Sequence, residues 1–493
     1  MSHRLRLGLL AGTAALAGTV ALGASAQAAG FVPNTLVVSR VVFNADTNPA
    51  RAGETFPDIF NDPNVAGIQG SIFLDTFLPL PFLPALESLP LTGLSAQNTV
   101  ITTSFSSKSE GSLHLSENGQ FLTYMGYVSP AGTENVSNSD TTGAGTQASP
   151  PSLPLTDRAV ALVKFDGSFS VTPESNAFSG DNPRGAISID GTQFLMAGNA
   201  DSTELKTTPV TGPGTTIGVR VGAPGSNVSS QLGTYVAMDR PDESAKQHIK
   251  DNNWRGIGIF NGNLFVSKGS GGNGDDGVFQ VMNGTADGVP TSGTDNTIVQ
   301  LLGTQATNPI TGATSPLTPF GFFFADANTL YVADEGNSTI TTTQAGGTVI
   351  SQTTDSTGTT TFTDLVTDPL AGLQKWSLVG GVWTLDYVIQ AGLELGQPQH
   401  VPGYPAPTFT TGLRNLTGKV NEDGTVTIYA ITAQTSSISG GEPDPTKLVA
   451  VTDVVAATTL PTIALPFGVD SFLTLQQSRS GEVFRGVAFA PVQ

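Results

Sequence analysis

The stretch WRGIGIFNGNLFVSKG, from Trp254 to Gly269, contains the pattern that decides the fold of this chain. Apolar residues lie on both sides of the central pair Asn261-Gly262. An Asn-Gly pair is favoured in two-residue turns because both positions adopt positive φ. Two short apolar runs separated by such a turn are typical of a β-hairpin, so the sequence predicts a hairpin over this stretch.

The same hairpin pattern recurs along the 493-residue chain. In the first three copies an Asn or Asp lies six residues after the first position, and a Gly lies fourteen residues after it. The first positions are separated by 72, 71, 65, 94 and 71 residues. They are Ser112, Arg184, Arg255, Phe320, Arg414 and Arg485. Repeats of this length with strands and glycine-rich turns are typical of β-propeller blades.

The last copy of the hairpin is incomplete. Phe484 to Ala490 supplies a first strand, and the chain ends at Gln493 before a second strand is possible. Near the other end, Asn34 to Arg40 has the pattern of a second strand and matches Asn328 to Asp334 closely. A blade shared by the two ends would close the ring and remove its open edges. The sequence therefore predicts an all-β fold, a six-bladed β-propeller whose closure is shared between N-terminal and C-terminal strands.

Residues 1–28 have the pattern of a secretory signal peptide. Arg4 and Arg6 form a charged region, Leu7 to Gly23 an apolar region, and Ala26-Gln27-Ala28 a small-residue cleavage site. A retained membrane anchor is the competing interpretation. Alanine and glycine dominate the apolar region and the cleavage site follows at once, which favours the signal peptide.

The remaining residues, 29–493, are predicted to form a single β-propeller domain. The longest interval between hairpins contains residues 338–363, which are rich in Thr, Ser and Gly. This segment is predicted to be an inserted flexible loop or hairpin within the fourth blade. A seventh blade in the same interval is the alternative, although the segment has no recognisable inner hairpin.

Charge and cysteine content restrict the partners. Without Arg4 and Arg6 the chain has 19 basic and 40 acidic residues, a net charge of −21. This charge disfavours nucleic acid and anionic lipid surfaces. The chain has no cysteine, which excludes disulfides, thiolate metal sites and cysteine nucleophiles. We expect a secreted or periplasmic monomer without a membrane anchor, whose partner is an unknown extracellular ligand or protein.

Asn328 to Asn337, with the sequence NTLYVADEGN, resembles the repeat signature of NHL-type six-bladed propellers. The chain after the signal peptide is similar to an uncharacterised family of secreted bacterial β-propellers. The resemblance implies a propeller fold. It leaves the activity open, because related six-bladed propellers include binding modules, lactonases, lyases and esterases.

The four arginines at first positions, Arg184, Arg255, Arg414 and Arg485, are the candidate ligand-binding residues. Innermost strands line the channel of a propeller, so these side chains are expected to converge at one mouth of it. One interpretation is an anion-binding ring; the other is a set of structural clamps that tie neighbouring blades together. Repetition at one register favours clamps. Three carboxylates lie three or four residues upstream and are candidate partners: Asp181, Asp251 and Glu482.

Three aspartates are candidate metal ligands. Asp275 and Asp276 lie in the oxygen-rich segment from Gly269 to Gly277, whose carbonyl and carboxylate oxygens suit calcium. Similarity to six-bladed lactonase-like enzymes, which hold a central calcium, adds Asp334. The segment does not have EF-hand spacing, and a solvated loop is the alternative. Calcium is therefore the one cofactor that the sequence suggests.

Two functions are compatible with these patterns. The first is a binding or scaffold protein that uses one mouth of the ring or its loops. The second is a calcium-dependent hydrolase or lyase that acts at the channel mouth. The sequence contains no Gly-x-Ser-x-Gly, Walker or His-Glu-x-x-His motif, and its histidines are scattered. Whether the chain is an enzyme stays open at this point.

Overall fold

The structure is a computed structural model. It describes residues 30–43, 68–91, 100–105, 107–143, 154–200, 216–233, 253–269, 275–293, 296–336, 351–354, 360–363, 368–404, 406–436, 444–461 and 470–493. The predicted signal peptide, residues 1–28, lies outside the described residues. None of the described residues belongs to a helix long and apolar enough to cross a membrane.

Every regular element in the described part of the chain is a β-strand. In chain order the strands are β1 (Leu36–Val42), β2 (Gln69–Phe77), β3 (Glu87–Pro90), β4 (Thr102–Ser104), β5 (Leu113–Leu115), β6 (Phe121–Tyr127), β7 (Arg158–Lys164), β8 (Phe169–Glu174), β9 (Pro183–Ser188), β10 (Phe194–Gly198), β11 (Val219–Gly222), β12 (Ser230–Gly233), β13 (Ile257–Phe260), β14 (Asn263–Lys268), β15 (Gly277–Val281), β16 (Ile298–Gln300), β17 (Gln305–Thr307), β18 (Thr314–Pro316), β19 (Pro319–Asp326), β20 (Thr329–Asp334), β21 (Ser351–Thr354), β22 (Thr360–Thr363), β23 (Gly372–Val379), β24 (Val382–Ile389), β25 (Pro398–Gln399), β26 (Thr408–Val420), β27 (Thr425–Ser436), β28 (Lys447–Val454), β29 (Leu473–Gln477) and β30 (Glu482–Phe489). The predicted all-β class is confirmed.

The hairpin predicted between Trp254 and Gly269 is present as β13 and β14. The two strands pair antiparallel, with Phe260 opposite Asn263 at the turn. Asn261 and Gly262 have φ values of 48° and 70°, as a two-residue hairpin turn requires. The turn chemistry of the sequence therefore fixes the register of this pair.

Four sheets each contain strands that follow one another along the chain. Their orders are β12-β11-β10-β9, β13-β14-β15-β16, β19-β20-β23-β24 and β25-β26-β27-β28-β29. Each sheet is an antiparallel meander, which is the arrangement of strands in a propeller blade. Together the sheets form a propeller-like arrangement.

The two ends of the chain meet in a nine-stranded sheet of order β30-β1-β2-β4-β6-β7-β8, with β3 paired to β2 and β5 paired to β6. Strand β1 pairs antiparallel with β30, from Leu36 opposite Phe489 to Val42 opposite Glu482. The predicted pairing of the first and last strands is thus confirmed. The short strand β4 bridges the group that holds β1 and β30 to the group β5 to β8.

The strands beside β2 are not evident from the local sequence. Residues Glu87–Pro90 pair with Phe73 to Thr76 of β2 as β3. Prolines conceal this strand in the sequence, because proline lacks the N–H of a sheet ladder and is tolerated at an edge. Residues Thr102–Ser104 form β4, which pairs with both β2 and β6.

The predicted insertion at 338–363 lies mostly outside the described residues. Within it, β21 and β22 pair antiparallel as a separate two-stranded sheet. The assignment of 338–363 as an inserted flexible loop or hairpin of the fourth blade stays a prediction.

Six strands contact one another in a closed cycle, β5 to β9, β13, β19, β26, β30 and back to β5. The residue after the first position is often glycine, and the close approach of neighbouring strands explains why. A Cβ at Gly256 would lie 2.1 Å from Phe320 O, and one at Gly486 would lie 2.4 Å from Leu113 N. Any side chain at these two positions would push the strands apart. We call this cycle of strands the inner ring.

Apolar side chains fill the spaces between neighbouring sheets. Ile187 and Leu195 of one sheet pack with Leu264 and Phe279 of the next in one buried cluster. Trp254, which is fully buried, contacts Phe279 edge to face at 5.2 Å. The core is therefore divided among the sheet interfaces, so each sheet depends on its neighbours.

The pairing of β30 with β1 leads to a test of ring closure. Deleting residues 484–493 removes Phe484 and Val487, which are buried, and exposes the edge of β1. Buried side chains of this kind each contribute about 1.5–3 kcal/mol. The deletion should therefore remove much of a typical net stability of about 5–15 kcal/mol. Urea unfolding of the truncated chain measures the loss.

The control removes only Val492 and Gln493. This deletion breaks one backbone hydrogen bond, from Val492 N to Gly119 O at 2.8 Å, and should cost about 0.5–1.5 kcal/mol. Equal unfolding midpoints for the long deletion and the full chain would contradict the closure argument.

Candidate functional site

Arg184 lies at the start of β9 and Arg255 lies two residues before β13, whereas Arg414 and Arg485 lie within β26 and β30. Arg184, Arg414 and Arg485 are 5%, 5% and 4% exposed. The side chain of Arg255 is more open, at 12%. Burial lowers the pKa of Arg255 to about 9, and the positive charges of Arg184 and Arg414 add to this effect. Arg485 lies near Glu110, and its charge opposes the rise in pKa that burial causes in that carboxyl group.

Two of the arginines reach groups in neighbouring parts of the ring. Arg184 Nη1 donates to Trp254 O at 3.1 Å and to the side chain of Asn253, both next to β13. Arg485 Nη2 donates to Ser104 O at 3.3 Å, and its Nη1 donates to Ser107 O. Each of these two arginines thus connects its own inner-ring strand to a segment beside the next strand of the ring. This is the geometry of an inter-blade clamp.

Arg255 and Arg414 share one carboxylate, that of Glu335. Arg255 Nη1 donates to Glu335 Oε1, and Arg414 Nε donates to Glu335 Oε2 at 3.2 Å. The shared contact lies where the repeat is broken, because the first position between these two arginines is Phe320. Glu335 follows β20, the partner strand of the one that contains Phe320, and places its carboxylate between the two arginines.

The carboxylates expected upstream of the arginines have other hydrogen-bond partners. Glu482 accepts from Arg40 Nη1 at 3.1 Å. Asp181 accepts from Asn182 N at 2.9 Å and from the side chain of Asn199. Burial lowers the pKa of Arg184, and the charge of Asp181 offsets part of this change. Asp251 lies outside the described residues. Spacing along the chain thus did not identify the hydrogen-bond partners, because these lie on neighbouring strands.

A buried carboxyl group that the sequence analysis did not single out lies beside the arginines. Glu110, 1% exposed, accepts hydrogen bonds from Thr103 Oγ1 at 2.8 Å, Ser104 N at 2.9 Å and Asn182 Nδ2 at 2.8 Å, and from the Tyr127 hydroxyl. Burial raises its pKa, and these hydrogen bonds oppose the change. Glu110 joins the segment around β4 to the loop that precedes β9.

One sequence signal could have revealed this network. Polar residues stand two positions before the first four first positions: Glu110, Asn182, Asn253 and Thr318. The structure uses each of them as a hydrogen-bonding group at the start of an inner strand. The hairpin repeat as defined above begins at its first position, so it does not include these four residues.

The three predicted metal ligands do not form one cluster. Asp276 accepts from Lys268 Nζ at 3.4 Å, and the backbone oxygen of Asp275 accepts from the same ammonium at 2.7 Å. Lys268 is fully buried, so a cation of the protein itself occupies this site. The described residues contain no group of three or more His, Asp or Glu side chains placed to hold a metal ion. Calcium at this segment stays a prediction.

Asp334 is a buried hydrogen-bond acceptor at the end of β20. Its oxygens accept from Thr318 N at 2.8 Å, Gln374 Nε2 at 2.8 Å and Gly336 N at 2.9 Å, and from Thr318 Oγ1. Burial raises its pKa to about 7 even though the hydrogen bonds favour the charged form. With these donors around it, Asp334 fixes the backbone on both sides of β20, next to Glu335.

A second buried polar network lies away from the inner ring. Lys375 Nζ donates to Asp453 Oδ2 at 2.9 Å and to Val454 O at 2.6 Å, and Tyr331 and Tyr387 donate to the same carboxylate. All four side chains are fully buried. The network joins the sheet that contains β23 to the sheet that contains β28. It therefore fastens two sheets together.

Comparisons with known proteins leave the family open. No protein-family model and no curated protein matches the sequence. Among solved structures, a quinoprotein alcohol dehydrogenase-like protein from Bacteroides thetaiotaomicron is 10% identical, with a TM-score of 0.29, over 86% of this chain and 85% of that chain. The extracellular domain of a one-component system from the same species is 10% identical, with a TM-score of 0.20, over 82% and 52%. At these scores the propeller-like arrangement rests on strand pairing alone.

The clamp geometry leads to a stability prediction for Arg485. Replacing it with Ala leaves Ser104 O and Ser107 O without this donor in a buried site, so the Arg485→Ala variant should lose about 2–5 kcal/mol of unfolding free energy. Arg479, which is exposed, provides the control. Arg479→Ala should stay within about 0.5 kcal/mol of the parent. A loss below about 1 kcal/mol for Arg485→Ala in denaturant unfolding would contradict the clamp.

His114 leads to a prediction about pH. Its ring contacts Ser112 Oγ at 3.1 Å in the inner ring, and burial lowers its pKa from 6.5 to about 4. Between these two values the unfolded chain binds a proton that the folded chain does not. The contribution of neutral His114 to the unfolding free energy is therefore complete above pH 6.5 and is lost as the pH falls towards 4. The unfolding free energy of His114→Gln should therefore fall less than that of the parent between pH 7 and pH 4.5.

Proposed function

We propose that this chain is a secreted or periplasmic six-bladed β-propeller that acts as a binding or scaffold protein for an extracellular partner. The observation that carries the proposal is the inner ring. Its arginines are buried and hydrogen-bonded across neighbouring strands, which gives a rigid ring with a polar end. Such a ring positions loops and a channel mouth for recognition.

The proposed number of six blades is supported by the strand order of the sheets and by the inner ring. Within the nine-stranded sheet, β30-β1-β2-β3 and β5-β6-β7-β8 each have the order of the four separate sheets. Each of these six groups contributes one strand to the closed cycle. A relationship to NHL-type propellers is part of the proposal and has its support in the sequence NTLYVADEGN alone.

Export is supported by the charged, apolar and small-residue pattern of residues 1–28. The net charge of −21 after cleavage disfavours nucleic acid as the partner. We propose a monomer without a membrane anchor. N-terminal sequencing of protein from the extracellular and periplasmic fractions tests export, and an intact Met1 terminus would contradict it.

A test of calcium binding distinguishes the proposed binding protein from the alternative function, a calcium-dependent hydrolase or lyase. If Asp275, Asp276 or Asp334 holds calcium, a chelator should lower the melting temperature, because a ligand bound only by the folded state adds stability by mass action. We expect the same melting curve with calcium and with chelator, since Lys268 already neutralises Asp276. A calcium-dependent rise in melting temperature would favour the enzyme.

A direct test of the binding function compares partners and turnover in the same sample. The purified chain is immobilised and exposed to concentrated medium from its own host, and retained molecules are identified by mass spectrometry. The proposal predicts a saturable partner that is released unchanged. Chemical conversion of a retained molecule, or of an ester or lactone substrate, at a rate that depends on calcium would overturn it in favour of the enzyme.

A further inference from the structure

We propose that the end of the ring between Arg184 and Arg255 is a binding site for an anionic group, a carboxylate or a phosphate, of a small ligand. The inference rests on the proposed binding function and gives the chemistry of its ligand. It assigns different roles to members of one repeat. Arg485 serves only as a clamp, and Arg414 pairs with Glu335. Arg184 keeps its clamp contact through Nη1 and, together with Arg255, faces the ligand with its remaining donors.

Unused hydrogen-bond donors are the first observation. Arg184 uses only Nη1, towards Asn253 and Trp254, and Arg255 uses only Nη1, towards Glu335. The Nε atoms of both arginines are buried and have no acceptor among the described residues. Their Nη2 atoms likewise make no hydrogen bond within the part of the chain that the structure describes. A buried Nε without an acceptor is costly, and an anion that accepts from Nε and Nη2 would remove this cost.

Local charge is the second observation. Three guanidinium groups, those of Arg184, Arg255 and Arg414, lie close enough to affect one another, and Glu335 is the carboxylate that two of them share. Carboxylates near the cluster offset part of this charge, Asp276 and Asp334 at Arg255 and Asp181 and Glu110 at Arg184. Burial in a site of low dielectric strengthens the repulsion among the three groups. An added anion would reduce this repulsion, which favours binding.

Solvent access to Arg255 and Glu335 is the third observation. The side chains of Arg255 and Glu335 are 12% and 16% exposed, compared with 7% for Arg414. The pair is thus the part of the arginine cluster that solvent reaches. Guanidinium groups present paired N–H donors in a plane, and carboxylate and phosphate oxygens match this geometry. Glu335 occupies one Nη of Arg255 and acts as a built-in competitor for the incoming anion.

Isothermal titration of the purified chain with succinate and with inorganic phosphate tests the site. Saturable binding of at least one of them is expected, and the better of the two identifies the anionic group. Arg255→Gln removes a donor and should weaken binding by at least about tenfold. Glu335→Gln removes the competitor while keeping the side-chain size, and should tighten binding by a similar factor. Arg479→Gln, on an exposed arginine outside the ring, should leave affinity unchanged.

Several outcomes would overturn the inference. They are no binding by either the parent or Glu335→Gln, equal affinity for the parent and Arg255→Gln, or an equal loss in Arg479→Gln. If Arg255→Gln does not fold, the direction of the change in Glu335→Gln decides alone, and weaker binding there contradicts the site. Retention of an unchanged partner from host medium by a chain that binds neither anion would sink this inference and leave the proposed binding function standing.

Discussion

The antiparallel pairing of β1 with β30 is the constraint on which the rest of the structure depends. It joins residues at opposite ends of the chain, from Leu36 with Phe489 to Val42 with Glu482. Each sheet buries its apolar surface only against its neighbours, so an open array would expose two faces and two edges. Closing a loop of this length has an entropic cost that grows only slowly with length. One strand pair can therefore stabilise a ring of several hundred residues.

Close approach at the inner ring explains why polar groups concentrate there. Glycine at positions such as Gly256 and Gly486 lets neighbouring backbones come within contact distance. The ends of the inner strands then need donors that reach across to the next strand, and an arginine offers five in a rigid fork. Arg184 and Arg485 use them on backbone oxygens of neighbouring segments. Repetition of arginine along the chain is thus a consequence of the ring.

The break in the repeat gives the ring its chemical asymmetry. Phe320 replaces arginine at one first position, and Glu335 brings its carboxylate between the arginines on either side. Two charges share one counterion there, whereas Arg184 and Arg485 donate to neutral oxygens. Low dielectric makes this imbalance more costly than it would be in water. A chemically asymmetric end of a symmetric ring distinguishes a binding site from a repeated structural contact.

The sequence by itself determined the strand class, the hairpin repeat and the partnership of the chain ends, because turn chemistry and the alternation of apolar residues are local properties. Asn261-Gly262 forms the expected turn, and NTLVVSR pairs with the C-terminal strand as predicted. It also identified the four arginines, since their register repeats. Only the tertiary structure decided what they contact. Glu335 and Ser104 come from neighbouring strands or segments, so no spacing along the chain could single them out. The same holds for Lys268 beside Asp276 and for the strand β3 hidden among prolines, because long-range packing selects one partner among many residues that the local sequence leaves equivalent.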